Sequence, residues 1–253
     1  KLRVTRSHTY SIKFWHKVII NKENISFSMR NLSLKEGVLI FVATYIIAYG
    51  LGLNVIRNIG INNMKEYFNS YAFLAIQSFF SLTLIILTYL AMRRRKIKLG
   101  ELLKISKHNL LLGLGLAVLL LVVEHGVISV TDRFIEPSET QEVLLKATAT
   151  SIKSFFLLFF IGAVIAPVSE EIYFRGYMFS AMRRKLSVGP AAILNGIYFG
   201  AAHLDVSSFI AISILGAILA YTYEKKDSLF IVIIAHASLN ATAILAAFLG
   251  YNF

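Results

Sequence analysis

Seven stretches of this sequence are apolar over most or all of the ~20 residues that a helix needs to cross a hydrocarbon core, and that decides its solvent. They run roughly 37–56, 70–92, 109–130, 152–182, 189–203, 208–223 and 229–250. The overall share of hydrophobic residues, 57%, is well above that of a water-soluble domain. In lipid every backbone polar group must find a partner inside the protein. We therefore expect an all-α polytopic bundle of about seven spans, or eight, in which short spans such as the fifth can be re-entrant. Cysteine is absent from all 253 residues, which excludes a disulfide framework, a thiolate nucleophile and a cysteine-ligated metal. The sequence begins at Lys1 rather than methionine, so residues are expected to precede it, and no signal peptide pattern lies ahead of the first span.

The net charge of +12 invites a nucleic-acid reading. However, the basic residues lie between the apolar stretches and not along one face, so they read as topology signals and nucleic acid is not an expected partner. Lys and Arg favour short cytoplasmic loops. Residues 1–35 carry Lys1, Arg3, Arg6, Lys13, Lys17, Lys22, Arg30 and Lys35, and a second cluster runs from Arg93 to Lys107. Arg183, Arg184 and Lys185 close the fourth stretch, and Lys225 and Lys226 close the sixth. By contrast, the loop from Glu124 to Thr150 is mostly acidic. An amino terminus in the cytoplasm follows, with a basic amino-terminal segment 1–35, cytoplasmic or interfacial, ahead of a transmembrane helical domain 36–253. Within that segment residues 10–20, YSIKFWHKVII, read as an interfacial helix or a basic arm. A surface helix is expected from Pro137, where Ser138 and Gln141 have capping-box spacing.

Ionisable residues inside spans are costly unless paired or hydrated, so each is a functional candidate. The fourth stretch holds Glu170, Glu171 and Arg175 in an otherwise apolar run. Glu171 and Arg175 are four apart and can pair along one helix face, whereas Glu170 lies about 100 degrees around the helix. That spacing leaves one carboxylate held by arginine and one available for chemistry. Pro167 removes a backbone donor just before them and frees carbonyls that need a polar neighbour. In the fifth stretch Asn195, Phe199 and His203 share a face, and Gly196 with Gly200 forms a small-xxx-small motif that implies a tightly packed partner helix. In the seventh, His236 and Asn240 share a face. Counting residues from the basic flank at ~1.5 Å each puts Glu170, His203 and His236 at ~20, ~21 and ~14 Å depth, as one water-filled cavity requires. Tyr173 and Tyr177 share the Glu170 face and are expected on the cavity wall with Phe199 and Asn195.

A carboxylate, two histidines, an asparagine and an arginine suit hydrolysis, with a glutamate as general base toward water and His or Asn donors at the developing oxyanion. The same residues leave open a zinc site made of Glu170, His203 and His236 with one position for water. Neither HExxH nor GxSxG occurs in the spans to point toward the soluble zinc-protease or serine-hydrolase signatures.

Glu170-Glu171-x-x-x-Arg175, then Phe199-x-x-x-His203, then His236-x-x-x-Asn240, in that order and in membrane helices, resembles the CPBP family of intramembrane proteases, also called Abi. That family includes the CAAX prenyl endopeptidases. The likeness covers about residues 150–245, the expected catalytic core. It implies that Glu170 and His203 activate water, that His236 and Asn240 form an oxyanion hole, and that Glu171 and Arg175 orient the site. It further implies a membrane-anchored peptide or prenylated protein as substrate, the bilayer as surroundings, and a site opening toward the cytoplasm. No cofactor is expected, with zinc as the alternative. A transporter or proton relay, and an immunity or scaffolding protein without catalysis, are the competing readings; no inverted repeat of the transporter kind is present.

Overall fold

The computed structural model describes residues 32–59, 71–135 and 151–251. The expected helices at 10–20 and from Pro137 lie outside these residues. Within them the chain forms α1 (Leu34–Ile59), α2 (Tyr71–Arg94), α3 (Leu99–Leu103), α4 (Lys107–Thr131), α5 (Ile152–Arg183), α6 (Val188–Ala202), α7 (Phe209–Lys226) and α8 (Leu229–Phe248). Seven of these fall on the seven apolar stretches, and α3 is a short helix inside the basic loop. Five helices, α1, α2, α4, α5 and α8, are long and apolar enough to cross a membrane. Helix α6 is not: its 15 residues extend ~22 Å against a core of ~30 Å. Helix α7 is apolar only until Glu224, Lys225 and Lys226 in its last turn.

The ends of the helices are set by side chains that complete the first turn or neutralise the last one. Ser106 accepts from the Asn109 amide at 3.1 Å and Ser151 from the Ser154 amide at 3.1 Å, satisfying donors that a helix start leaves open. Arg93 and Arg94 close α2, and Lys225 and Lys226 close α7, where the helix dipole favours positive charge. Asp227 then takes a left-handed conformation at φ 49 and ends the helix.

Among the described residues, antiparallel alternation brings the basic clusters that follow α2, α5 and α7 to one end of the bundle. There Glu36 at the start of α1 is paired with Arg95 just after α2 and accepts from the Tyr177 hydroxyl near the end of α5. Arg183 at the end of α5 pairs with Glu224 near the end of α7 at 2.8 Å, and Lys104 pairs with Asp227. The opposite end carries Arg57, Arg133 and Lys153 among the described residues.

Helix α5 is not a regular α-helix. Its register widens to π over Ile161–Ile165 and again over Ile172–Phe179, on either side of the Ala166–Glu171 segment. In the first widening the Ala166 N–H bonds the Ile161 carbonyl five residues back. The next donor in that register would serve Gly162, but residue 167 is proline and has none. The Asn240 amide of α8 fills the vacancy, donating to the Gly162 carbonyl at 2.9 Å. The second widening is tied in the same way, by the Asn195 amide of α6 donating to the Phe174 carbonyl at 3.0 Å. The expected need for polar neighbours around Pro167 is thus met by side chains of other helices, as lipid demands.

The glycine motif of α6 has its tight partner in α7. A Cβ on Gly196 would sit 2.3 Å from the Ser213 carbonyl, and one on Gly200 would sit 2.2 Å from the Ser213 hydroxyl. Elsewhere Gly113 lets α4 approach Ile231 and Ile234 of α8. Gly196→Ala should therefore force α6 from α7 and destabilise the protein by ~1–3 kcal/mol. In Gly115→Ala the new methyl meets nothing within 4 Å, so that variant should be neutral or gain up to ~1 kcal/mol of helix propensity. Unfolding of the two variants in detergent checks the contrast, and equal stability would contradict this packing.

Candidate active site

Because α5 runs through the middle of the bundle, the two glutamates and the arginine leave it in different directions. Glu171 and Arg175 are completely buried, and Nη1 of Arg175 donates to Oε1 of Glu171 at 2.8 Å. A buried guanidinium must place its other donors as well. Nη2 of Arg175 donates to the Gly216 carbonyl of α7 at 3.0 Å. The plane of positive charge lies 4.4 Å from the ring centre of Phe199, within range for a cation–π contact. The backbone of α7 comes this close because residue 216 is glycine: a Cβ there would sit 3.0 Å from Cα of Gly196 and 3.0 Å from Phe199.

Glu171 has a second partner. Nδ1 of His236 donates to its Oε1 at 2.9 Å; a carboxylate can only accept, so the proton lies on Nδ1. That hydrogen bond fixes the ring and turns Nε2 toward Glu170, whose Oε2 stands 3.9 Å away. Glu170 is the more open of the pair, with its side chain 14% exposed against 0% for Glu171. The order is a line of alternating groups, Arg175, Glu171, His236, Glu170. Its inner end is sealed and its outer end reaches the edge of the packing. The spacing argument for one held and one available carboxylate describes this arrangement.

Phe199 stands between the two histidines, edge-on to both, with ring centres 4.8 Å from His203 and 5.7 Å from His236. His203 itself is exposed at the last turn of α6 and gives its Nδ1 hydrogen to the Phe199 carbonyl at 2.8 Å, which leaves Nε2 facing outward. Leu204, the next residue, is left-handed at φ 54, a strained conformation for a residue with a branched side chain. This turn ends the helix directly after the histidine. Asp205 then holds the turn together: Oδ1 accepts from the Ser207 amide and hydroxyl at 3.1 and 2.9 Å, and Oδ2 from the Ser208 hydroxyl at 2.8 Å.

The structure thus brings Glu170, Glu171, Arg175, Phe199, His203 and His236 into one neighbourhood, with Asn240 one helical turn beyond His236. Three residues expected on the cavity wall sit elsewhere. Tyr173 is fully buried; its hydroxyl donates to the Gly37 carbonyl at 2.9 Å and, with its one hydrogen so used, accepts from the Tyr198 hydroxyl at 2.8 Å. Tyr177 is buried and points to Glu36 at the basic end. Asn195 is buried in the α5–α6 contact. Shared helix face was the wrong guide here, because the π segments rotate residues 172–179 away from the register counted from Glu170. Glu170, His203 and His236, the alternative zinc set, are not gathered around one point: among the described residues no three His, Asp or Glu side chains are arranged to hold a metal.

One neighbour was not singled out beforehand. Tyr45 of α1 donates to the Ala202 carbonyl at 2.6 Å, one residue before His203, and lies within electrostatic reach of Glu170. Its signal in the sequence was the aromatic series Phe41, Tyr45, Tyr49 at helical spacing. Glu124 of α4, where the acidic loop region begins, is half-buried. An apolar groove between α2 and α5, lined by Leu74, Ala75, Ser78, Lys153, Leu157 and Ile161, includes none of these polar residues.

Residues 152–242 match the family described as type II CAAX prenyl endopeptidase Rce1-like. The match covers 91 of the 253 residues. It contains every residue of the three motifs, and the CPBP resemblance drawn from them holds over it. The chain is also similar to Putative membrane peptidase YdiL of Bacillus subtilis, 24% identical over 110 residues that cover 44% of this chain and 43% of that protein. UPF0177 protein YxdF of Lactococcus lactis is 29% identical over 82 residues, 32% of this chain and 45% of that protein. The chain thus spans less than half the length of these curated relatives. No solved structure matches it. With five helices long and apolar enough to cross a membrane, the chain is an integral membrane protein.

Removing one member of a buried ion pair strands the other, at a typical cost of ~3–5 kcal/mol. Arg175→Ala should destabilise the protein by about that much, measured as denaturant unfolding in detergent. The double replacement Glu171→Met/Arg175→Met should lose less than the single one, since no lone charge remains.

Proposed function

We propose that this protein is an intramembrane endopeptidase that hydrolyses a peptide bond in membrane-associated substrates, with Glu170 as the base that activates water. The observation that carries the reading is the line Arg175, Glu171, His236, Glu170, in which every member but Glu170 has its charge or hydrogen bond committed to a neighbour. Glu170 takes a proton from water, and the hydroxide adds to the scissile carbonyl carbon. The carbonyl oxygen becomes an oxyanion, and donors aimed at it lower the barrier because charge develops there. Asn240 has a second amide hydrogen beyond the one given to Gly162, and a hydrogen on Nε2 of His236, in addition to the one on Nδ1, is the second donor in the same region. When the intermediate collapses, the carbon–nitrogen bond breaks and the proton held by Glu170 returns to the leaving amine. His203, exposed with Nε2 outward, assists the proton transfers at the open edge. Glu171 and Arg175 are positioning residues, since they act through His236.

The family description names CAAX prenyl endopeptidases, and a prenylated carboxyl-terminal CAAX peptide is accordingly the first substrate to compare with an unmodified one. Support for a metal-free mechanism comes from the donor set, in which Asn240 suits an oxyanion better than a metal.

Purified protein in detergent or liposomes should cleave a membrane-associated peptide, with products identified by mass. Glu170→Gln and His203→Ala should each lower kcat by ~10²–10⁴-fold, the range of general acid–base catalysis, while circular dichroism stays unchanged. Chelators should leave the rate unaltered. Full activity in Glu170→Gln would refute the glutamate mechanism, and zinc-dependent activity would replace it with the metal one. Flux of a solute driven by its gradient, without cleavage, would favour a transporter instead.

A further inference from the structure

A helix leaves its last four carbonyls without intrahelical partners, and each needs one from elsewhere. At the end of α6 these carbonyls belong to Phe199, Gly200, Ala201 and Ala202. The first accepts from the Nδ1 hydrogen of His203 at 2.8 Å. The next two accept from the backbone, Gly200 from the His203 N–H at 3.1 Å and Ala201 from the Leu204 N–H at 3.2 Å. Leu204 is left-handed, the chain turns away, and among the described residues no backbone amide serves the Ala202 carbonyl. The hydroxyl of Tyr45 on α1 does so, donating at 2.6 Å across 157 residues of sequence. Tyr45 is itself held in place. Its ring is edge-on to Phe41 at 4.9 Å and to Phe80 of α2 at 5.0 Å, and stacks on Tyr49 at 5.7 Å. Phe41 in turn stacks on Tyr173 of α5 at 5.5 Å and stands edge-on to Tyr198 of α6 at 5.4 Å. The hydroxyl therefore reaches α6 from a ring whose position is set by α1, α2 and, through Phe41, α5.

We propose that Tyr45 is a positioning residue for His203: by serving the Ala202 carbonyl it pins the last turn of α6, and with that turn the Phe199 carbonyl that orients the imidazole. Both bonds of His203, from its ring and from its backbone N–H, end on carbonyls of this one turn, so the ring is only as fixed as the turn is. Without the hydroxyl the Ala202 carbonyl has no partner, the turn loosens, and Nδ1 of His203 loses its fixed acceptor. The proposal rests on the reading of His203 as a participant in the proton transfers, and it extends the site to a residue outside the 152–242 segment that the family match covers. Tyr45 acts through His203 and need touch no substrate. A bond that merely stabilised the fold would cost the same whatever side chain stood at position 203.

Tyr45→Phe keeps the ring among Phe41, Tyr49 and Phe80 and removes only the hydroxyl, so the variant should fold. Tyr49→Phe, in the same aromatic series but exposed, is the control and should match the unsubstituted protein. Imidazole nitrogen NMR of the full chain in detergent, with the His203 signal assigned by its loss in His203→Ala, reads the ring directly. His203 should carry its hydrogen on Nδ1 in the unsubstituted protein and in Tyr49→Phe, and exchange between tautomers in Tyr45→Phe. With a membrane-associated peptide as substrate, Tyr45→Phe should lower kcat by ~10-fold, short of the ~10²-fold that a 1 Å misplacement can cost, and leave KM unchanged. In the His203→Ala background the same substitution should cost nothing further, since a residue that acts through another loses its effect when that one is gone. An unchanged His203 signal in Tyr45→Phe would overturn the inference, and so would an equal fold-loss in both backgrounds. If the unsubstituted protein cleaves nothing while the His203 signal still changes in Tyr45→Phe, the protease reading fails and the anchoring of His203 by Tyr45 stands.

Discussion

One carboxylate, Glu171, ties the working part of the molecule together. It is fully buried and receives hydrogen bonds from Arg175 on its own helix and from His236 on α8. Through Arg175 it also holds the backbone of α7 at Gly216. A charge with no access to water is tolerable only when its partners are in place, so the three helices must meet with these atoms in register. That requirement explains the glycines at 196 and 216, which let α6 and α7 approach closely enough for the guanidinium to span them. It also explains why His236 is held by Nδ1 and leaves Nε2 facing Glu170.

The second constraint is the backbone of α5 itself. Pro167 and the two π segments leave carbonyls unserved in the middle of a membrane, and side chains from α6 and α8 supply the missing donors. The asparagines of both motifs therefore have a structural task beside any chemical one. The wide turns also present Glu170 and Glu171 on distinct sides of one helix, so that one carboxylate is fully buried between Arg175 and His236 and the other stays partly open.

Much of this was legible in the chain. The seven apolar stretches became seven helices, because length and hydropathy report directly on the solvent. The Glu171–Arg175 pair followed from spacing alone, as did the tight α6–α7 contact from Gly196 and Gly200, since both depend on neighbours within a few residues. The wall of the site was harder. Tyr173 and Tyr177 share a face with Glu170 only if the helix keeps 3.6 residues per turn, and a π register does not. Tyr45 was out of reach because it comes from α1, far along the chain from the motif it approaches.

By itself, the sequence determined that the protein lives in lipid, which end of the bundle is basic, and which few polar residues must be accounted for, because each of these follows from the local cost of placing a group in hydrocarbon. Only the tertiary structure decided which carboxylate is locked and which is open, that His236 turns its Nδ1 to Glu171, and that α6 ends directly after His203 in a turn held by Asp205. Those outcomes depend on how helices distant in the chain are set against one another, and the α5 register that sets them answers to donors on α6 and α8 that no local pattern in α5 reveals.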